Sequence, residues 1–154
     1  MVTAEDSAFL RRAIEIAAAA VTSGDAPYGS LLVDAQGVVL MRAHNTVERD
    51  RDISAHPEFK LARWAARELS PEAAAATTMY TSCQPCGMCS GAIVRSGLGR
   101  VVYALSTAQV LELNPGSGWP TVPQDGPALF DEARVPIERY YQAGGDHRAP
   151  PDTD

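Results

Sequence analysis

The sequence predicts an α/β domain, and three observations carry that reading. Phe9, Leu10, Ala13, Ile14, Ala17 and Val21 recur at helical spacing. Two apolar runs, residues 30–33 and 38–41, flank Asp34-Ala35-Gln36-Gly37 as a hairpin flanks its turn. After them a helical stretch and a strand-like stretch follow each other twice. The resulting order is α-β-β-α-β-α-β. Its two β–α steps indicate parallel strands with helices packed on the sheet.

Each element has a local cause. Thr3-Ala4-Glu5-Asp6 resembles a capping box, with Asp6 in place of Glu, and starts the first helix. Residues 23–27, Ser-Gly-Asp-Ala-Pro, end it. Residues 44–54 read as a polar loop, with Glu48-Arg49-Asp50-Arg51-Asp52 as its solvated surface. A helix begins near His56 and runs to about Leu69, Pro57 being tolerated in its first turn. Residues 78–81 form a strand. Cys86 opens a helix that Gly97 and Gly99 stop. Residues 100–104 form a further strand, and residues 106–113 a short helix. The Gly/Pro-rich stretch 114–127 reads as a long loop holding Trp119, which either lines a pocket or simply packs. Residues 128–133 suggest a short helix and 135–141 an extended segment. Residues 1–142 make one domain, and 143–154 read as a disordered tail.

The chemistry is concentrated in about thirty residues. His56-Pro57-Glu58 precedes Pro85-Cys86-Gly87-Met88-Cys89. Zn²⁺ favours tetrahedral His and Cys ligands, and a catalytic site uses three of them and leaves the fourth position to water. His56, Cys86 and Cys89 make three. Glu58 stands two residues past the histidine, where it can reach a bound water without ligating. Both half-motifs fall at helix starts, where the backbone dipole favours thiolates. A lone C-x-x-C is weak, but H-x-E followed by P-C-x-x-C is the signature of zinc nucleobase deaminases. The competing reading is a structural zinc knuckle with Cys83 as the fourth ligand; a Cys83 that ends a strand is instead a buried small residue.

Composition narrows the partners. The chain has 154 residues and a net charge of −6, so no basic surface for phosphates dominates. From Pro127 onward six acids face three arginines, which argues against nucleic acid and for a small substrate. A local arginine patch after Asn45 is what would keep tRNA in view. No basic n-region with a cleavable apolar stretch opens the chain, and no run approaches the ~18 apolar residues of a membrane span. Three cysteines, two of them assigned to metal, fit a reducing cytoplasm.

From Ala8 to about Gln142 the chain resembles the cytidine deaminase-like superfamily. It looks most like bacterial nucleoside and guanine deaminases, with tRNA adenosine deaminases and fungal cytosine deaminases as cousins. The resemblance rests on Ala26-Pro27-Tyr28-Gly29, Ala43-His44-Asn45, the segment 81–93 around Cys86 and Cys89, and Arg100-Val101-Val102-Tyr103. It implies a three-layer α/β/α fold with a five-stranded mixed sheet, a homodimer or larger assembly, and hydrolytic release of ammonia from a free purine-type base or nucleoside. It also implies roles. Asn45 would hydrogen-bond the base, or else is a turn residue. Tyr28 would pack on the ring, or else is a core aromatic. Tyr140, within 136–141, would belong to an aromatic end closing the pocket, or to a segment that packs on the sheet. Two departures stand out. Gln84 replaces a common Glu before Pro-Cys. Pro57 replaces Ala, Gly or Val, and so removes a backbone N–H that relatives aim at the base. That loss would favour an unusual amino-purine or a triazine over guanine, or else Pro57 only stiffens the helix start. A tRNA adenosine deaminase and a cytosine or cytidine deaminase are the alternative activities.

Overall fold

The computed structural model describes residues 1–118 and 120–142; Trp119 and the expected tail, 143–154, lie outside the described residues. The chain divides into two compact units, the first Met1–Ser117 and the second starting at Gly118.

The first unit contains α1 (Ala4–Thr22), β1 (Gly29–Val33), β2 (Val39–His44), α2 (Val47–Asp50), α3 (Pro57–Glu68), α4 (Pro71–Ala75), β3 (Thr78–Cys83), α5 (Gly87–Ser96), β4 (Arg100–Leu105) and α6 (Thr107–Leu113). The capping box forms as expected: Asp6 N–H donates to Thr3 Oγ1 at 3.1 Å, and Thr3 N–H to Asp6 Oδ2 at 2.8 Å. The hairpin turn forms too, with Asp34 Oδ1 accepting from the N–H groups of Gln36 and Val38.

The sheet has strand order β2-β1-β3-β4. β1 is antiparallel to both of its neighbours, and β3 and β4 are parallel. β2, β3 and β4 therefore share one direction, and the β2–α3–β3 crossover passes over β1. β1 is buried along its whole length because both of its faces are covered. Leu31 and Val33 pack with Ala13, Tyr80 and Val102 under α1. Leu32 packs on the opposite face with Met79, with Leu61, Ala62 and Ala65 of α3, and with Ile93 of α5. The three-layer expectation thus holds.

The stripe α1 turns to the sheet is made of small residues, Ala13, Ala17 and Ala20, so its backbone comes close. Gly29 is the counterpart on the strand. A Cβ there would lie 2.5 Å from Ala17 N and 2.7 Å from Ala13 O, both backbone atoms that no rotamer change can move.

A buried carboxylate fastens the N-terminal end of α1. Arg100 donates to both oxygens of Asp6, at 2.7 and 2.9 Å, and the Tyr80 hydroxyl donates to Oδ1 at 2.8 Å. Asp6 is 2 % exposed, and the Arg100 guanidinium, its largest influence, holds the carboxyl well below the usual range. Desolvation, with the Asp6 hydrogen bond, pushes Tyr80 up to about 12. The folded Asp6 stays ionised at a pH where the unfolded one is already protonated. Its stabilisation is therefore full above about pH 4 and drains away as the pH falls below that. Asp6→Asn should cost about 1–3 kcal/mol at neutral pH, discounted because Arg100 is partly exposed. Thermal unfolding should show the gap to the parent narrowing below about pH 4; a gap that ignores pH would rule out the ion pair as its source.

Two expectations are corrected. The sheet has four strands among the described residues, not five. The segment 135–141 is not extended: it lies inside one continuous helix of the second unit, α7 (Phe130–Gln142). Asp131 and Glu132 sit in its first turn, where the helix dipole favours acids. Arg134 meets Glu138 one turn on, at 2.8 Å. Pro136 lies in the helix interior, where it removes one backbone bond, but the carbonyl released belongs to exposed Glu132 and can bond water.

Candidate active site

The site is built where parallel strands end. β2 delivers Asn45 at its carboxyl end, and β3 delivers Cys83 and then the turn into α5. Crevices outside the carboxyl ends of strands are where open α/β sheets bind ligands. The loop between β2 and α3 carries the chain across to His56. Its two ends are clasped: Thr46 N–H donates to the Ala55 carbonyl at 3.0 Å.

His56 is the N-cap of α3 and Cys86 the N-cap of α5, so both stand in extended backbone at helix starts. Cys89, fully buried, lies one turn into α5. Cys86 Sγ is 3.8 Å from His56 Nδ1, and Cys89 Sγ is 3.6 Å from it. A tetrahedral ion held at about 2.3 Å by sulfur and 2.05 Å by nitrogen gives N–S edges of roughly 3.6 Å. The three ligand atoms lie within 4.8 Å of one another, a set that does not include Cys83. Cys83 is buried at the end of β3, and burial pushes its thiol up. The donor set therefore suits a three-ligand zinc site and leaves the four-ligand knuckle unsupported.

Without metal, the hydrogen bond from Cys89 pulls the Cys86 thiol down to about 4, with His56 adding to the effect. The hydrogen bond between His56 and Cys86 raises His56 above its ordinary value against the opposing effect of burial.

Glu58 is 5 % exposed. Its Oε1 accepts from the Thr81 hydroxyl at 2.9 Å, and Thr81 in turn accepts from the Ser30 hydroxyl at 2.8 Å. Its Oε2 lies 3.9 Å from Cys89 Sγ, facing the ligand set. Burial pushes the carboxyl up, and the Thr81 hydrogen bond partly offsets it. Thr81 and Ser30 were not legible as site residues, since each looks like ordinary strand sequence.

Asn45 is buried, and its Oδ1 accepts from Val47 N–H at 3.0 Å. The amide is thereby oriented, with Nδ2 left as the donating end. Asn45 N–H donates to the Tyr28 carbonyl at 3.0 Å, which ties the two residues together. Tyr28 is half-buried, and desolvation raises its hydroxyl above the ordinary range, with the charges of Cys83 and Glu58 adding to it. Pro57, the first residue of α3, is fully buried. Tyr140 lies on α7 in the second unit, 56 % exposed and edge-on to Tyr141 with centroids 5.2 Å apart. No helix among the described residues is long and apolar enough to cross a membrane.

Comparison with known proteins follows the same lines. The chain is 32 % identical over 159 residues to a probable cytosine deaminase of Schizosaccharomyces pombe, covering 91 % of this chain and 94 % of that protein. It is 33 % identical over 96 residues to the tRNA-specific adenosine deaminase of Aquifex aeolicus, covering 62 % of this chain and 63 % of that one. Among solved structures it is similar to the guanine deaminase of Bacillus subtilis, with a TM-score of 0.72, 28 % identity, and coverage of 88 % and 93 %. Residues 3–105, which hold all four of His56, Glu58, Cys86 and Cys89, match the model of the cytidine and deoxycytidylate deaminase zinc-binding region, so the chain belongs to that family and is a zinc-dependent deaminase.

Proposed function

We propose that this enzyme deaminates a free purine-type base or nucleoside by hydrolysis at one zinc ion held by His56, Cys86 and Cys89. The observation that carries the reading is Glu58, a buried carboxyl beside three donors, with Cys83 outside the set. Zinc, when bound, supplies a water acidic enough to yield hydroxide near neutral pH. Glu58 Oε2, the oxygen facing the ligands, takes one proton from the attacking water and gives it to a ring nitrogen, then takes the second from the oxygen now on the carbon and gives it to the amine as the C–N bond breaks, while Thr81 holds Oε1. The Nδ2 of Asn45 donates to an acceptor on the base, and Tyr28 packs on the ring. A homodimer and a cytoplasmic location belong to the same reading.

A purine is favoured by the likeness to guanine deaminase over most of both chains, and a free base by the net charge of −6. Cytosine is the second reading, favoured by the 91 % coverage of the probable cytosine deaminase. Ammonia release from guanine, 2,6-diaminopurine, adenine, cytosine, aminotriazines, their nucleosides and tRNA decides among them. Turnover of tRNA alone would overturn the small-substrate reading.

Pro57 bears on the choice of base. Without an N–H, a base carbonyl aimed at this position is left desolvated and unpaired, costing about 1–3 kcal/mol. Pro57→Ala restores the donor and should raise kcat/KM for guanine about tenfold relative to 2,6-diaminopurine, which carries an amine in place of that carbonyl. Equal ratios in parent and variant would leave Pro57 a stiffener of the helix start.

A further inference from the structure

Lys60 is the only lysine of the chain, and no feature of the zinc motif accounts for it. It lies one turn along α3 from His56 and is half-buried. Nζ donates to the His44 carbonyl at 3.0 Å and to the Thr46 hydroxyl. Those two acceptors flank Asn45. Thr46 passes the link on by donating to Asp50 Oδ2, so a carboxylate answers the ammonium through a single hydroxyl. Burial lowers the Lys60 ammonium below its ordinary range, a cost that a lysine of purely solvating role would avoid by turning outward. The His44 side chain is separately engaged, with Nε2 3.2 Å from buried Asp25 and 3.4 Å from Arg49.

Two elements must keep their spacing for the proposed reaction. One is the end of β2, which presents Asn45. The other is the first turn of α3, which presents His56 and Glu58. The ammonium joins them directly. We propose that Lys60 is a positioning residue, whose hydrogen bonds to His44 and Thr46 fix the span between the amide that holds the base and the carboxyl that acts on it. This rests on the base-holding role given to Asn45 above. The reasoning is geometric: a displacement of about 1 Å between a held substrate and its catalytic group can cost 10²-fold in rate.

A double-mutant cycle tests it, with guanine and 2,6-diaminopurine as substrates. Lys60→Met keeps the length of the stem and removes the donors. It should retain about one zinc per chain and lower kcat roughly tenfold, with a smaller change in KM. In an Asn45→Ala background the same change should cost less than about twofold, because the span then has nothing to position. A full tenfold loss in that background would overturn the proposal and leave Lys60 a structural residue. Loss of zinc from Lys60→Met would overturn it as well, since the lysine would then act through the metal helix. Thr46→Val breaks the same link from the other end, should Lys60→Met fail to fold. It should show a smaller kcat loss that likewise vanishes beside Asn45→Ala, and an additive loss would again overturn the proposal. Unchanged kinetics in Asn45→Ala alone would instead defeat the base-holding reading, and this inference with it.

Discussion

Glu58→Gln is expected to give a folded, zinc-loaded protein that turns over at least 10²–10⁴-fold more slowly, the range typical of lost acid–base groups. The substitution is chosen for what it preserves. The amide oxygen can still accept from Thr81, whose hydroxyl is 2.9 Å from Oε1, so the side chain keeps its place. The volume is unchanged, and no cavity opens between α3 and β3. What is lost is the basic oxygen facing Cys89, which becomes an amide nitrogen unable to take a proton. Ammonia release under saturating base, read beside zinc content and melting temperature, checks the result. Near-normal turnover by a zinc-loaded variant would remove Glu58 from the chemistry.

Cys89→Ser should be as damaging by another route. Cys89 is fully buried on α5, with its Sγ against His56 and Glu58 at the start of α3, and with it gone two of the three ligands remain. Metal content should fall from about one zinc per chain to near zero under a mild chelator, and activity with it. The melting temperature should fall too, because binding energy for the metal is expressed only by the folded chain. Cys83→Ser is the matched control: its thiol ends β3 outside the ligand group, so metal content should stay near one per chain. Zinc lost from Cys83→Ser would mean that the thiol ligates after all and that the site is structural.

Local signals made much of this site legible in the sequence. Pro57 and the C-x-x-C spacing mark helix starts, and the structure places His56 and Cys86 at N-caps. In the strands read at 30–33 and 78–81, Leu32 and Met79 lie under α3 while Leu31 and Tyr80 face α1. Side chains far apart in the chain were another matter. Thr81 reaches Glu58 across 23 positions and Ser30 reaches Thr81 across 51, and neither pairing leaves a periodic trace. Lys60 carries no sequence signal, because its partners depend on how β2 meets α3. β2 itself runs on to His44, beyond the apolar run that announced it, since pairing with Gly29 and Ser30 outweighs the polarity of Arg42. Residues 128–133 and 135–141 read as separate elements, whereas α7 runs from one into the other, with the Arg134–Glu138 pair spanning the join.

The clasp between Thr46 and Ala55 separates two properties that are usually bound together. Asn45 and His56 stand just outside it, and the chain within closes on its own short helix, with Arg51 in a left-handed turn (φ 49°) and Ile53 81 % exposed. Extra residues introduced near Ile53 would enlarge a loop whose ends are already joined, and doubling such a loop costs only about 0.6 kcal/mol of closure entropy. The tip can therefore drift in length and composition while the distance from Asn45 to His56 stays constant. Variation can accumulate there without passing through intermediates that have lost the reaction centre.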